Sequence, residues 1–281
     1  MDRKKIFRDP GGLLGFLLPL LLLLLWYLHT HGGGTVLPPP GRVVGVLLHP
    51  GEDLLASGSI LWSITVSITR IMLGFAFAVA VGVPVGLAMG GTRLCRRLLS
   101  ITVEMARPLS AIALLPLSII IFKGDSMADL LGMSHLRYSR HVLNELGLGM
   151  IFILFWGGVF PVILGTMQGV RSVRKLHLEV ARVLGASRFH RFIHVMVPSA
   201  LPDIFHGLRL GIGRCWMVII AAEMLPGTNS GIGYMLRYSY QLSRYDIMLA
   251  CIAVIAVIGA FFAKGLEALG ERSLLLRSRE R

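Results

Sequence analysis

Residues 146–170 read LGLGMIFILFWGGVFPVILGTMQGV, and this stretch holds no Asp, Glu, Lys or Arg. A helix needs about 20 apolar residues to cross the hydrocarbon of a bilayer. The run lacks the apolar–polar alternation of a barrel strand, and only helices and closed barrels satisfy their backbone polar groups in lipid. It therefore predicts a transmembrane helix. Runs equally free of charge occur at 10–28, 71–92 and 247–263. The whole chain of 281 residues is 54% hydrophobic and 15% charged, whereas a soluble domain carries roughly 25% charged residues.

These observations predict an all-α polytopic membrane helix bundle of about six transmembrane helices. The expected spans are near 12–28, 62–90, 101–122, 147–166, 207–226 and 246–266. Residues 1–60 read as an anchor span followed by an interfacial segment. Residues 61–270 read as the transmembrane domain and 271–281 as a basic tail. The first span follows Arg3, Lys4, Lys5 and Arg8, and no small-x-small cleavage site follows it, so a retained anchor is expected rather than a signal peptide.

The net charge is +13, a value that would ordinarily suggest nucleic acid. The placement of the charge argues against that. If the N-terminus is cytoplasmic, 18 of the 28 Lys and Arg residues fall on inside segments and six on outside segments. Such asymmetry is the positive-inside rule, and it predicts both termini in the cytoplasm. Cys95, Cys215 and Cys251 have neither metal spacing nor a disulfide framework. His135 and His141 are six residues apart, the wrong spacing for one helical face, so no metal site is expected.

Within the spans, Gly82, Gly86 and Gly90 form a small-xxx-small stripe. It reads either as a face that moves against a neighbour or as static close packing. Pro108, Pro116 and Pro161 predict kinked spans. Pro38–Pro40 ends the first helical region, residues 43–48 read as a short interfacial helix, and residues 123–145 read as one amphipathic surface helix. Trp26, Tyr27 and Trp62 sit where interfacial anchors are expected.

Residues 171–202 form the longest inside segment. Val173, Leu176, Val180, Val183 and Leu184 recur near helical spacing, and Gly185 ends that helix. Ser187 is an N-cap for a second helix, whose apolar stripe is Phe189, Phe192, Ile193 and Met196. Pro198 is expected to close it. Two short amphipathic helices thus meet at a glycine corner in the cytoplasm.

Glu179-Val180-Ala181-x-x-x-Gly185, nine further residues, and Val195-x-Val197-Pro198 resemble the EAA loop of ATP-binding-cassette importer permeases, whose pattern is Glu-Ala-Ala-x-x-x-Gly-x(9)-Ile-x-Leu-Pro. Glu179, Ala181, Gly185 and Pro198 match, and Val180, Val195 and Val197 depart apolar for apolar. Arg70-Ile71-Met72-Leu73-Gly74-Phe75, Arg107-Pro108, Gly185-Ala186-Ser187-Arg188, Gly207-Leu208-Arg209 and Ala221-Ala222-Glu223-Met224 resemble the branch that moves sulfonates such as taurine, nitrate and related small anions. The resemblance covers roughly residues 35–270. Two features depart from it: the connection 123–145 is longer than expected, and Arg214 stands where an apolar residue is expected.

The resemblance implies a multi-pass protein of the bacterial plasma (inner) membrane. It implies a second permease copy as partner, two cytoplasmic ATP-binding subunits and an extracytoplasmic solute-binding protein. The chain has no Gly-x-x-x-x-Gly-Lys-Ser/Thr phosphate loop, so ATP and Mg are expected on the partner ATPase, with no cofactor in this chain. The implied ATPase-coupling loop comprises Glu179, Ala181, Gly185, Ala186, Ser187, Phe189, Phe192 and Pro198. Glu179 either braces the glycine corner so that the loop moves as a lever, or pairs locally with Arg182 or Lys175. Ionisable residues in spans are functional candidates by default. Arg209, Arg214 and Glu223 are therefore the candidate pathway or gate residues. Arg214 either faces an anion or pairs with Glu104 or backbone carbonyls, and Glu223 is expected to brace helices near the outer gate.

A secondary transporter or channel running without an ATPase is the alternative. It leaves the 179–198 loop as an accident, and no convincing repeat halves are present. No catalytic carboxylate pair, metal cluster or nucleophile elbow is found, so an enzyme is not expected.

Overall fold

The computed structural model describes residues 10–31, 36–53, 55, 58–132, 142–226 and 228–278, with backbone alone for 10–16, 175, 267, 269 and 271–278. The helices are, in order, α1 (Pro10–His31), α2 (Pro40–Leu48), α3 (Ile60–Gly91), α4 (Arg93–Ala106), α5 (Leu115–Phe122), α6 (Met127–Leu130), α7 (Val142–Glu145), α8 (Leu148–Arg171), α9 (Lys175–Val183), α10 (Arg188–Arg191), α11 (Val197–Glu223), α12 (Ile232–Gln241) and α13 (Tyr245–Ser278). No strand occurs among the described residues. Among the described residues, four stretches are long and apolar enough to cross a membrane: Ile60–Gly91, Leu148–Arg171, Arg188–Glu223 and Tyr245–Leu266.

The opening stretch of sequence is the centre of the bundle. Helix α8 lies between α3 and α11 and is buried along most of its length. Gly74, Gly82, Gly86 and Gly90 of α3 face Leu154, Val162, Thr166 and Val170 of α8. Both numbers rise together, so the two helices run parallel in constant register. The glycine stripe is thus a packed seam, as small residues in membrane helices permit. A Cβ on Gly86 would lie 2.7 Å from the Ile163 carbonyl oxygen. On its other side, Gly165 and Gly169 of α8 meet Gly207 and Ala200 of α11. There one number rises as the other falls, so the pair is antiparallel. Helix α13 packs on α11, α12 and α2. Trp26 of α1 donates from Nε1 to the Pro38 carbonyl at 3.2 Å, tying α1 to the proline turn.

Three sequence expectations change here. The third span, predicted over 101–122, is not one helix. Helix α4 ends at Ala106, and residues 107–111 are non-helical. A 3-10 turn at Ile112–Leu114 then leads into α5. Pro108 has no N–H to continue α4 and its ring crowds the carbonyl four residues back, while Pro116 falls in the first turn of α5, where proline is tolerated.

Pro198 does not close the second loop helix. From Phe192 to Met196 the backbone widens into a π-helix, the Val197 N–H bonds to the Phe192 carbonyl, and the chain continues directly into α11. A widened turn accommodates the proline, and π-bulges are recurrent at functional sites. The fifth span accordingly begins at Val197 rather than near 207.

The segment 123–145 is not one helix. Helix α6 ends at Leu130, two residues before Gly132, which has a φ of +71°, and α7 is separate. His135 and His141 lie outside the described residues, as do 1–9 and 279–281.

Candidate functional site

The loop at one end of the bundle follows from its sequence bond by bond. At the end of α9, the Gly185 N–H reaches the Arg182 carbonyl at 3.0 Å and the Ala186 N–H reaches the Ala181 carbonyl at 3.0 Å. These two bonds are the Schellman pattern that satisfies the last carbonyls of a helix. It requires a left-handed residue, and Gly185 has a φ of +77°, a conformation that costs other residues strain. The motif positions Ala181 and Gly185 are therefore the two ends of one helix stop. One residue further on, the Ser187 hydroxyl accepts from the His190 N–H at 3.1 Å and starts α10.

The two phenylalanines divide. Phe189 is 74% exposed. Phe192 is half-buried, with its ring edge against the end of α3: a Cβ on Gly91 would lie 3.0 Å from Phe192 Cε2. Phe192 thus anchors the loop to the bundle, while Phe189 projects outward with Val183 and Leu184, which are 87% and 79% exposed. Glu179 is exposed and Pro198 sits in the first turn of α11.

At the other end, a buried polar network joins four helices, α3, α7, α11 and α12, and the connection that holds Ser230. Arg70 of α3 donates from Nη1 to Glu223 Oε1 of α11 at 2.8 Å and to the Ser230 carbonyl at 3.0 Å. Its Nε and Nη2 donate to the Glu145 carbonyl at 3.0 and 2.6 Å, and Nη2 also donates to Ser230 Oγ at 2.8 Å. All five guanidinium N–H groups are used. The Ser230 hydroxyl donates to the Glu145 carboxylate. Glu223, with no exposed surface, further accepts from Ser67 Oγ at 2.8 Å and the Gly233 N–H at 3.0 Å. Ser67 in turn accepts from the Ile232 N–H. Gly231, at φ +105°, leaves room for the carboxylate, since a Cβ there would lie 2.2 Å from Glu223 Oε1. Glu223 of α11 thus contacts both α3 and α12. The sequence reading named Arg70 only within a motif and missed it as the partner. The available signal was two ionisable residues in otherwise apolar runs.

Between these ends lie two adjoining cavities of about 530 and 340 Å³, which share Arg107, Arg214 and Met217. The larger also takes in Arg209 and His206, and the smaller takes in Ser110 and Trp156. Neither lining includes an Asp or Glu. Arg107 and Arg214 are exposed, and no pairing of Arg214 with Glu104 is found among the described residues. Arg209 is half-buried with interactions of its own. An arginine is costly at membrane depth unless it pairs or meets water, and Arg214 is exposed on α11 beside both cavities. No group of three or more His, Cys, Asp or Glu is placed to hold a metal among the described residues.

Residues 74–272 match the family described as binding-protein-dependent transport system inner membrane component. The chain is 35% identical over 262 residues to the putative ABC transporter permease protein MJ0413 of Methanocaldococcus jannaschii, covering 92% of this chain and 90% of that protein. It is 35% identical over 237 residues to the taurine transport system permease protein TauC of Escherichia coli, covering 84% and 78%. It is 32% identical over 256 residues to the bicarbonate transport system permease protein CmpB of Synechococcus elongatus, covering 88% and 82%. Among solved structures, it is similar in fold to a chain of the MetNI methionine ABC transporter in inward-facing conformations, with a TM-score of 0.61 and 15% identity over 79% of this chain and 98% of that one. The bundle, the loop and these relatives lead to one conclusion: the chain belongs to the family of binding-protein-dependent transport system inner membrane components, the permease subunits of ATP-binding-cassette importers.

Proposed function

We propose that this permease carries a small anion, of the sulfonate, nitrate or bicarbonate kind, through the region of Arg107 and Arg214. The observation that carries this reading is the pair of exposed guanidinium groups lining two adjoining cavities that contain no carboxylate. A cavity lined by one sign of charge concentrates solutes of the other sign. The names of the taurine and bicarbonate relatives support the same class.

Transport is driven from the 179–198 loop. A partner ATPase, which holds ATP and Mg, receives the exposed apolar surface of Phe189, Val183 and Leu184 by helix-in-groove docking. Apolar surface of this extent on a water-facing loop is the mark of an interaction site. Phe192 and the continuous π-helix into α11 carry the movement into the bundle. Glu179 braces the corner closed by Gly185. The buried Arg70–Glu223 pair holds the opposite end, which faces the extracytoplasmic binding protein.

The working assembly contains two copies of this chain and two ATPases in a bacterial inner membrane, with both termini cytoplasmic, a placement the positive charge distribution supports. Residues 61–270 form the permease domain, 1–60 an added anchor and 271–281 a basic tail.

Arg214→Leu tests the anion path. In vesicles reconstituted with the ATPase and binding protein, uptake of the anion falls at least about tenfold while the stimulated ATPase rate persists. Uptake equal to that of the parent removes Arg214 from the path.

A further inference from the structure

Helix α4 climbs from the loop end of the bundle toward its middle. It starts at Arg93, just after Gly91, which lies beside the loop residue Phe192. Ten residues on, Val103 joins a buried cluster with Val159, Phe160 and Ile163 from the middle of α8. Glu104 is eleven residues beyond Arg93, about 16 Å along a helix axis, and the hydrocarbon of a bilayer is about 30 Å thick. Glu104 therefore stands near mid-depth, and it is exposed.

A carboxylate at that depth is costly, and it marks a function together with the partner that neutralises it. The acidic side chains described in the four long spans are all engaged: Asp203 with Ser172, Glu223 with Arg70 and Asp246 with Arg244. Glu104 forms no ion pair among the described residues. One cation lies within its reach along the chain. The Arg107 N–H reaches the Val103 carbonyl at 2.9 Å and the Arg107 backbone is still right-handed helical. Glu104 and Arg107 are thus i and i+3 on one turn, a spacing at which opposite charges meet. Arg107 is exposed and lines both cavities, whereas Glu104 lines neither. Its guanidinium therefore opens on the space assigned to the anion while a tethered carboxylate stands one turn away.

We propose that Glu104 is an exchangeable counter-ion for Arg107, a positioning residue of the transport path. With the path empty, the carboxylate swings onto the guanidinium and spares it an unpaired charge at depth. An entering anion takes over the guanidinium, and Glu104 returns to it as the anion leaves. The exchange swaps one ion pair for another and moves no proton. It weakens anion binding in proportion to the fraction of molecules whose Arg107 is free. It also hastens release, so that the arginines do not trap their cargo. The inference rests on the anion-permease reading above.

The test pairs two measurements. One is equilibrium binding of labelled ethanesulfonate, nitrate and bicarbonate to the nucleotide-free permease–ATPase complex in phosphatidylcholine nanodiscs. The other is uptake at saturating anion by vesicles that also hold the binding protein. Glu104→Gln keeps the shape and removes the charge. It tightens binding about tenfold, the effect of freeing a guanidinium that is paired about nine-tenths of the time, and it slows saturated uptake about threefold or more. Glu104→Asp, which keeps the charge, stays close to the parent in both. In an Arg107→Gln background the change at Glu104 alters binding by less than about twofold, because the shared partner is gone. Binding by Glu104→Gln equal to or weaker than that of the parent overturns the proposal. Equal tightening in the Arg107→Gln background overturns it too, since Glu104 then acts as a diffuse field. If Arg214→Leu loses binding while Glu104→Gln matches the parent, the anion path stands without the counter-ion. If the parent binds none of the three anions, both readings fall. Should Glu104→Gln fail to assemble, Glu104→Ala, at the same exposed position, decides by the same readings.

Discussion

Arg70 and Glu223, 153 positions apart, meet as a buried ion pair with Nη1 2.8 Å from Oε1 and with every donor of the guanidinium engaged. Breaking such a pair from one side is far worse than removing both charges, because a lone buried charge is left behind. Arg70→Met should lower stability by about 3–5 kcal/mol. Arg70→Met combined with Glu223→Met should recover a large part of it. Retention of the folded peak on size-exclusion chromatography after heating measures both. A double variant no more stable than the single one would contradict the pairing argument.

Gly185 fixes the angle between α9 and α10 through its left-handed backbone and the Schellman bonds. Gly185→Val forces a β-branched residue into that region, which is strongly disfavoured. The variant should insert at normal levels and hydrolyse ATP without driving uptake. Gly185→Asn, better tolerated at positive φ, should retain part of the coupling. Normal uptake by Gly185→Val would sink the lever account.

The exposures of Phe189 and Phe192 separate binding from anchoring. Phe189→Ala should reduce co-purification of the ATPase by about tenfold or more while leaving thermal stability within about 0.5 kcal/mol, as for an exposed position. Phe192→Ala should instead loosen the loop against Gly91, seen as faster proteolysis between residues 171 and 198. The reverse pattern would exchange their roles.

Gly86 has no room for a side chain against Thr166 and the Ile163 carbonyl. Gly86→Leu should separate α3 from α8 and cost at least about 1–3 kcal/mol, the scale of overpacking. Gly213, with open space around its Cα, should accept Ala with little change. Similar melting temperatures for the two variants would argue against the packed seam.

The long apolar runs at 62–90, 147–166 and 246–266 were legible because local composition decides whether a helix can lie in lipid. The corner at Gly185 and Ser187 was legible for a related reason: helix stops and caps are made by residues a few positions apart. What the sequence hid was non-local or competitive. Nothing in the spacing of Arg70 and Glu223 says that they meet, since their contact is set by the register of α3 against α8 and of α8 against α11. At Pro108 and Pro198 the same residue type gave opposite outcomes. The first broke its span at a cavity wall. The second was absorbed by a π-turn, and the chain runs on directly into α11. The smaller cavity was invisible for the same reason, as it exists only where the break faces Trp156.

The most direct test is uptake into proteoliposomes. One set contains this chain with its ATPase and binding protein, and a second contains this chain alone. Both are offered a labelled aliphatic sulfonate, nitrate and bicarbonate. The account predicts uptake of at least one of these only in the complete set, and only with ATP supplied to the ATPase face. Uptake by the chain alone, without ATP, would contradict it.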